Sequence, residues 1–183
     1  MTFEEKTLKT ERVYDGKILN LRKDTVTVKN GVSEREIVEH RGGAVIVPVT
    51  ENGNIVMVRQ YRKAAGRVML EVPAGKIDPG EDHFTTAVRE LKEETGYTAD
   101  KITFLTKMYP SVGYSEEKLY IYMCSGLTPG ETDPDENEAI DVVEVPLDDI
   151  YKMIMDGKIE DGKTLAGVLM VKGLKEEGRL QQK

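Results

Sequence analysis

The chain has 183 residues, of which 39% are hydrophobic and 32% are charged, and its formal net charge is −7. These values indicate a globular protein of one domain or one domain with a small extension, and the negative charge argues against a nucleic-acid partner, which requires a basic face. The single cysteine, Cys124, excludes an intrachain disulfide framework and a multi-cysteine metal site. No apolar run reaches the ~18 residues of a membrane span, and the N-terminus lacks the apolar core of a signal peptide, so we expect a cytoplasmic protein with no membrane partner.

Hydrophobic patterning predicts short strands interrupted by a few helices. Residues 11–40 read as strands, with a hairpin pattern on both sides of Asn30 and Gly31. Further strands are predicted at 44–49, 55–61, 68–73, 102–109, 118–124 and 140–146. Helices are predicted at about 82–95, 147–154 and 164–177, and a loop at 125–139, which is rich in glycine, proline and acidic residues. Strands interleaved with helices indicate the α/β class, with a mixed sheet covered by helices.

The clearest helix signal lies at 82–95. Asp82 is suited to cap its start, because a carboxylate accepts the free backbone N–H groups of a first turn. Gly96 is suited to end it, because glycine adopts the left-handed backbone that often follows a helix. Apolar residues three and four apart predict one buried stripe, formed by Phe84, Ala87, Val88 and Leu91.

The stretch GKIEDGKT at residues 157–164 fits the phosphate-binding loop pattern G-x-x-x-x-G-K-[ST]. A working loop of this kind follows a buried strand and wraps phosphate with backbone N–H groups and a lysine. Here the preceding segment has helical periodicity, and Glu160 and Asp161 would place two carboxylates inside the loop. We therefore predict a connection between two helices, with Gly157 ending the first and Asp161 or Thr164 near the start of the second.

The carboxylates of the 82–95 helix oppose ordinary helix preferences. At about 100° per residue, Glu90 and Glu94 lie about 40° apart beside the buried stripe, where like charges repel. Glu93 and Glu94 also lie in the last turn, where the helix macrodipole disfavours anions. A divalent cation would convert this repulsion into ligation, and oxygen ligands without a Cys/His cluster favour Mg²⁺ or Mn²⁺. The alternative is a solvated acidic face.

The surrounding stretch, GKIDPGEDHFTTAVRELKEETGY, resembles the Nudix box, G-x5-E-x7-R-E-U-x-E-E-x-G-U, in which U is a bulky apolar residue. The matching residues are Gly75, Glu81, Arg89, Glu90, Leu91, Glu93, Glu94 and Gly96, with Tyr97 at the last apolar position. The stretch RQYRKAAGRVMLEVPAGKID, the 42–49 strand and GKIEDGKT are similar to the ADP-ribose pyrophosphatase branch of that family. The resemblance implies a Nudix-type α/β/α sandwich with a mixed β-sheet. It also implies an enzyme that cleaves a nucleoside diphosphate linked to another moiety.

The resemblance assigns the metal site to this helix and the strand before it. The implied ligands of Mg²⁺, with Mn²⁺ as the alternative, are the backbone carbonyl of Ala74, Glu90 and Glu94, supported by Glu93. Arg89 is expected to orient the glutamates through a salt bridge, although a surface ion pair is the alternative. Glu81 and Gly75 are expected to support the site, and Glu81 also suits the positive end of the helix dipole.

The resemblance also suggests substrate contacts. Arg62, in RQYR, matches the family's diphosphate-contacting arginine, and a guanidinium fork suits phosphate oxygens. Arg35 is a candidate contact to the adenine. Glu117 is a candidate contact to the substrate or to metal-bound water, with Glu116 as its rival.

The general base is expected in the acidic loop. The segment DENE at 135–138 aligns with a loop that carries a glutamate in similar enzymes, and we choose Glu136, with Glu138 second. Glu117 is the third catalytic candidate. A base on a loop that closes over the substrate would complete the site only when the substrate is bound. A solvated acidic loop is the alternative.

We expect an N-terminal β extension at 1–41 and a Nudix hydrolase domain at 42–183. The N-terminal strands are too few for a stable core of their own, and in this branch such strands exchange across a dimer. We therefore expect a homodimer with exchanged N-terminal strands that binds a small nucleoside diphosphate substrate.

The most specific hypothesis is Mg²⁺-dependent hydrolysis of ADP-ribose to AMP and ribose 5-phosphate. Val112 stands where the branch often has a proline, so other nucleoside diphosphate sugars and dinucleotides remain alternatives. A non-catalytic Nudix-fold ligand sensor is the alternative from another class, and the intact glutamate set argues against it. A phosphate-loop NTPase is the weakest hypothesis, and the helix-connection interpretation gives Lys163 no role in hydrolysis.

Overall fold

The computed structural model describes residues 3–133 and 139–180, which divide into two compact units. The first comprises Met1–Gly42 and Tyr109–Lys118, and the second comprises Gly43–Met108 and Leu119–Lys183. The sequence pattern did not indicate that Tyr109–Lys118 groups with the N-terminal strands. The domain division at 1–41 and 42–183 stays a prediction.

The first unit contains an antiparallel sheet in the order β1-β2-β3, formed by β1 (Thr7–Asp15), β2 (Asn20–Val28) and β3 (Gly31–Glu39). The predicted hairpin is confirmed, and Gly31 is the first residue of β3, paired with Val28. Val38 of β3 donates its N–H to the carbonyl of Tyr114 (2.7 Å) and accepts the N–H of Glu116 (2.9 Å). These bonds explain why Tyr109–Lys118 belongs to this unit.

The second unit has two sheets, in the orders β7-β4-β9-β8 and β10-β5-β6. Its strands are β4 (Gly43–Pro48), β5 (Asn54–Arg62), β6 (Arg67–Glu71), β7 (Ala74–Lys76), β8 (Thr98–Met108), β9 (Leu119–Thr128) and β10 (Ile140–Pro146). β4 and β9 are parallel and the other pairs are antiparallel, so the prediction of a mixed sheet is confirmed.

Two features of these strands differ from the predictions. The short strand β7 follows Pro73, where the sequence predicted only a break. The loop predicted at 125–139 is wrong at its start, because β9 continues to Thr128. Residues 125–128 pair with the start of β8, including Ser125 with Lys101 and Thr128 with Thr98, and these ladder hydrogen bonds outweigh the local glycine and polar composition.

Three helices complete the second unit: α1 (His83–Thr95), α2 (Leu147–Met155) and α3 (Gly162–Glu176). Each agrees with its prediction to within two residues. α1 packs against β4 and β7, α3 packs against β4 and β9, and α2 packs against α3.

The fully buried strand β4 separates two apolar clusters. Val45 and Val47 face the cluster that contains Leu147 and Ile150 of α2 together with residues of α3. The alternate residues Ala44 and Ile46 face a second cluster that contains Ala87 and Leu91 of α1. Because successive side chains of a strand point to opposite faces, this alternation gives the predicted α/β/α sandwich.

Within residues 3–133 and 139–180, no helix combines the length and the apolar composition that crossing a membrane requires.

Candidate active site

Both ends of α1 are fixed by the predicted caps. Asp82 accepts the backbone N–H groups of Phe84 (2.8 Å) and Thr85 (3.1 Å). Gly96 has a φ of 75° and donates its N–H to the carbonyl of Lys92 (2.7 Å). These caps set the length of α1, and with it which of its residues lie in the last turn.

The buried face of α1 differs from the predicted stripe. Ala87 and Leu91 are buried as expected, but Phe84 and Val88 are 47% and 44% exposed. Glu94 is only 5% exposed. The helix therefore turns a charged residue inward, because it packs over the small residues of β7 as well as over β4.

The side chains of Glu90 and Glu94 both reach β7. Glu94 Oε2 accepts the backbone N–H of Ala74 (3.1 Å). Glu90 lies against the α-carbon of Gly75 so closely that a β-carbon there would be 1.7 Å from Glu90 Oε1. Only glycine leaves room for the carboxylate at this point. Two carboxylates of one helix therefore converge on two adjacent residues of one strand.

Arg89 connects three of the glutamates. Its Nε and Nη2 donate to the two oxygens of Glu81, each at 3.0 Å, and its Nη1 donates to Glu90 (2.8 Å) and Glu93 (2.7 Å). The hydrogen bonds from Arg89 lower the pKa of Glu81 to about 2. Those same bonds raise the pKa of Arg89, so its guanidinium stays protonated between the glutamates.

The acidic segment begins beside the end of α1. Asp133, the last described residue before it, donates its N–H to the carbonyl of Glu93 (3.0 Å). The two predicted bases, Glu136 and Glu138, lie outside the described residues. Their assignment stays a prediction.

The residues at β7 fit a divalent cation of the magnesium type. Among residues 3–133 and 139–180, no three His, Cys, Asp or Glu side chains form a group that could hold a metal ion by themselves. Mg²⁺ does not need such a group, since it keeps several waters and is usually bound through one or two carboxylates and the substrate's phosphates. The pocket that Gly75 leaves for Glu90, next to Glu94, supplies that donor type.

Arg62 ends β5 and is held by a glutamate that the sequence reasoning missed. Its Nε and Nη2 donate to the two oxygens of Glu71, each at 2.8 Å. This hydrogen bonding raises the pKa of Arg62, to which the negative charge of Glu94 also contributes. A glutamate within the otherwise apolar VMLEVP strand was the available signal, because a charge on a buried strand requires a partner.

GKIEDGKT is a helix connection, as predicted. Gly157, with a φ of 70°, follows α2, and Asp161 caps α3 by accepting the N–H of Thr164 (3.0 Å). Glu160 forms a salt bridge with Arg67. The two carboxylates that argued against a phosphate loop are therefore a helix cap and an ion-pair partner.

The remaining candidates belong to the first unit. Arg35 donates to both oxygens of Glu5, at 2.8 and 2.6 Å. The carboxylate of Glu117 lies 3.5 Å from Nδ1 of His40, and Glu116 accepts a hydrogen bond from Arg22 (2.6 Å). The roles of Arg35 and Glu117 stay predictions.

Comparisons with known proteins agree with the resemblance. Residues 39–168 match the NUDIX domain family, and residues 5–41 match the nucleoside diphosphate sugar hydrolase N-terminal domain. A Bacillus methanolicus protein named methanol dehydrogenase activator is 41% identical over 169 residues, which are 91% of each chain. The ADP-ribose pyrophosphatase of Bacillus subtilis (strain 168) is also 41% identical, over 166 residues that are 89% of this chain and 90% of that protein.

The fold comparison gives the same result. A crystal structure of an ADP compounds hydrolase, 26% identical, superposes with a TM-score of 0.83 and covers 98% of this chain and 99% of its own. The family match spans most of the chain and contains α1, β7 and the residues that converge between them. The chain therefore belongs to the Nudix hydrolase family.

Proposed function

We propose that the protein hydrolyses the pyrophosphate bond of ADP-ribose, consuming water and giving AMP and ribose 5-phosphate, with Mg²⁺ as cofactor and Mn²⁺ as the alternative. The observation that carries the proposal is the convergence of Glu90 and Glu94 on Ala74 and Gly75. Its substrate follows the named relative in Bacillus subtilis, which aligns over nearly the whole chain. The alternative substrates, other nucleoside diphosphate sugars and dinucleotides, would be hydrolysed at the same kind of bond.

The metal site is assigned to Glu90, Glu94 and the backbone carbonyl of Ala74. These groups would hold a divalent cation, which would supply charge neutralisation at the phosphates and make a water more acidic. Glu93 supports the site through Arg89, because Nη1 of Arg89 donates to both Glu90 and Glu93.

Arg62 is assigned to the substrate diphosphate. Glu71 occupies Nε and Nη2, and Nη1 has no hydrogen-bond partner in the part of the chain that the structure describes. A guanidinium fixed on one edge and open on another suits a phosphate oxygen.

Glu136 is assigned as the general base, with Glu138 second. The support for this choice is the hydrogen bond that ties Asp133 to Glu93, since it starts the acidic segment at the end of the glutamate-bearing helix. Arg35 remains the candidate contact to adenine, and Glu117 remains the candidate contact to the substrate or to metal-bound water.

The proposed assembly is a cytoplasmic homodimer with exchanged N-terminal strands. Its support is the exposure of every residue of β1, including Leu8, Val13 and Tyr14, which are each more than half exposed. Light scattering after size-exclusion chromatography tests it: we expect the mass of two chains, and a monomer at micromolar concentration would refute the dimer.

A substrate panel tests the function. ADP-ribose, ADP-glucose, GDP-mannose, NADH, diadenosine polyphosphates and ATP would be incubated with Mg²⁺, Mn²⁺ or EDTA, and the products separated by chromatography. We expect the highest kcat/KM for ADP-ribose and no turnover in EDTA. A higher kcat/KM for another compound would replace the substrate but keep the enzyme class. If no diphosphate were turned over, the non-catalytic sensor would become the better hypothesis.

A further inference from the structure

Glu71 is the most deeply buried charged residue among those that the structure describes, at 1% exposure, and two cations hold it. Arg62 binds both of its oxygens, and Nζ of Lys163 contacts Oε2. Burial by itself raises the pKa of Glu71, but the hydrogen bond from Arg62 and the charge of Lys163 bring it below its ordinary value. Glu71 is therefore an ionised carboxylate shared between a strand-end arginine and a helix-start lysine.

The start of α3 is tied to the same point of the sheet by further bonds. Asp161 Oδ2 accepts from Nζ of Lys163 (2.9 Å) and from the hydroxyl of Thr164 (2.6 Å). The Thr164 hydroxyl accepts the backbone N–H of Val72 (2.9 Å). Lys163 is thus held in place by Asp161 and directed at Glu71, while Thr164 anchors the residue that follows Glu71.

This arrangement determines the orientation of the Arg62 guanidinium. Glu71 holds the guanidinium by two hydrogen bonds, to Nε and Nη2. Lys163, itself held by Asp161, contacts the same oxygen, Oε2, and so fixes the position of the acceptor to which Nη2 of Arg62 donates. The two-point contact with Glu71 orients the side chain, which is 40% exposed.

We propose that Lys163, acting through Glu71, is a positioning residue for Arg62, so that GKIEDGKT influences the diphosphate without touching it. The proposal rests on the proposed function, in which Arg62 binds the diphosphate. It revises the expectation that Lys163 has no role in hydrolysis. The lysine of a sequence that imitates a phosphate loop instead supports the arginine of a different phosphate contact.

A double-mutant cycle tests the proposal on whichever panel compound the wild type turns over best. In Lys163→Gln we expect KM to rise about tenfold, the value of one charged hydrogen bond, while kcat changes by less than about threefold. Lys163→Arg, which keeps the charge, should restore most of the affinity. In an Arg62→Ala background, Lys163→Gln should raise KM no further, because the residue through which it acts is gone.

Lys172→Gln is the matched control. Lys172 also lies on α3 and forms an ion pair, with Asp148 at 2.8 Å, but it does not contact Glu71. We expect its KM to equal that of the wild type. Circular dichroism and thermal unfolding of every variant show whether a higher KM comes from unfolding or from a displaced Arg62 side chain.

If Lys163→Gln fails to fold because Glu71 loses one of its two cations, the test moves to a Glu71→Gln background, in which the second change removes the other buried charge. Glu71→Gln alone should raise KM, and adding Lys163→Gln should raise it no further; a further rise would overturn the proposal. Two results of the first cycle also overturn the proposal: a KM in Lys163→Gln equal to that of Lys172→Gln, or an equal rise in KM with and without Arg62. A wild type that turns over no diphosphate would instead refute the proposed function, and the positioning role with it.

Discussion

Two buried glutamates of the second unit differ in what holds them. Glu71 is bound by the guanidinium of Arg62 and the ammonium of Lys163, side chains that come from a strand end and a helix start. Glu94 accepts the backbone N–H of Ala74 and lies one helical turn from Glu90, whose carboxylate fills the space beside Gly75. Burial alone therefore does not distinguish a structural carboxylate from a functional one.

The chemistry of the partner distinguishes the two. Breaking a buried ion pair costs folding free energy, because a charge is left without its counterion. A carboxylate bonded by a backbone amide and placed beside a second carboxylate is arranged to receive a cation. We therefore expect the same change, Glu→Gln, to lower kcat and metal binding at Glu94, and at Glu71 to lower stability and raise KM while metal binding is kept.

Glu94→Gln gives the largest expected effect. The neutral amide keeps the volume and an acceptor for the Ala74 N–H but loses the negative charge that would hold Mg²⁺. We expect kcat to fall on the order of a thousandfold, since metal catalysis contributes several kcal/mol. Steady-state kinetics measures the loss, and Mn²⁺ binding followed by electron paramagnetic resonance should weaken in parallel.

The control for this change is Glu176→Gln, on an exposed face of α3. It should leave both kinetics and metal binding unchanged. Near-normal turnover by Glu94→Gln with an intact fold would remove Glu94 from the metal site.

Glu71→Gln should lower stability, in addition to the rise in KM that follows from the looser position of Arg62. Arg62 and Lys163 would both lose the buried carboxylate that they share, and we expect the free energy of unfolding to fall by about 3 kcal/mol, as for other broken buried pairs. Urea unfolding at neutral pH measures this difference. A stability equal to that of the wild type would contradict the structural assignment and erase the contrast with Glu94.

Gly75→Ala sharpens the comparison without changing a charge. The added β-carbon would overlap Glu90 Oε1, which lies 1.7 Å from its position. The end of a flexible side chain moves at little cost, so we expect unfolding free energy to change by less than about 1 kcal/mol while kcat falls about thirtyfold. Gly173→Ala, where the added carbon would meet open space among the residues that the structure describes, is the matched control and should keep full activity. Full activity in Gly75→Ala would show that the position of Glu90 does not matter.

Glu81→Gln should show a stability effect that depends on pH. The pKa of Glu81 falls from its ordinary value of 4.5 to about 2 in the folded protein, mainly through its bonds to Arg89. A lowered folded-state pKa means that the stabilisation is complete above 4.5 and is lost as the pH falls toward 2. We expect the variant to be less stable by about 1.5 kcal/mol at pH 7. The difference between the two proteins should narrow below pH 4.5 in urea unfolding, and a difference that stays constant down to pH 3 would contradict the Arg89 bond as its cause.

Local patterns predicted much of this molecule. The caps Asp82 and Gly96, the three helices and the mixed sheet all follow from residue types at short spacing, and the glutamates of the box stand out because they oppose helix preferences. The burial of the Glu94 side chain could not be predicted from such patterns. It depends on the three-residue strand β7, which is too short to produce a periodic pattern.

The contacts of Glu71 with Arg62 and Lys163 could not be predicted from the sequence for a different reason. Lys163 and Glu71 are 92 residues apart, and no repeat or spacing in a single chain connects them. The same holds for Thr164 and Val72, and for the pairing of Ser125 with Lys101 that extends β9. Contacts of this kind depend on how helices and strands pack in the folded protein, and a sequence motif contains only one of the two contacting residues.

Glu160→Gln should have the smallest effect of all, and it separates the two interpretations of GKIEDGKT. Glu160 and Arg67 are both about half exposed, and an exposed ion pair contributes between about 0 and 1 kcal/mol, so stability and turnover should stay close to those of the wild type. A phosphate loop would respond differently, because removing a carboxylate from its interior would tighten the binding of an anion. Titration of both proteins with ATP and Mg²⁺ in a calorimeter measures this. Tighter binding by the variant would restore the phosphate-loop hypothesis, whereas equal binding leaves the segment as a helix connection.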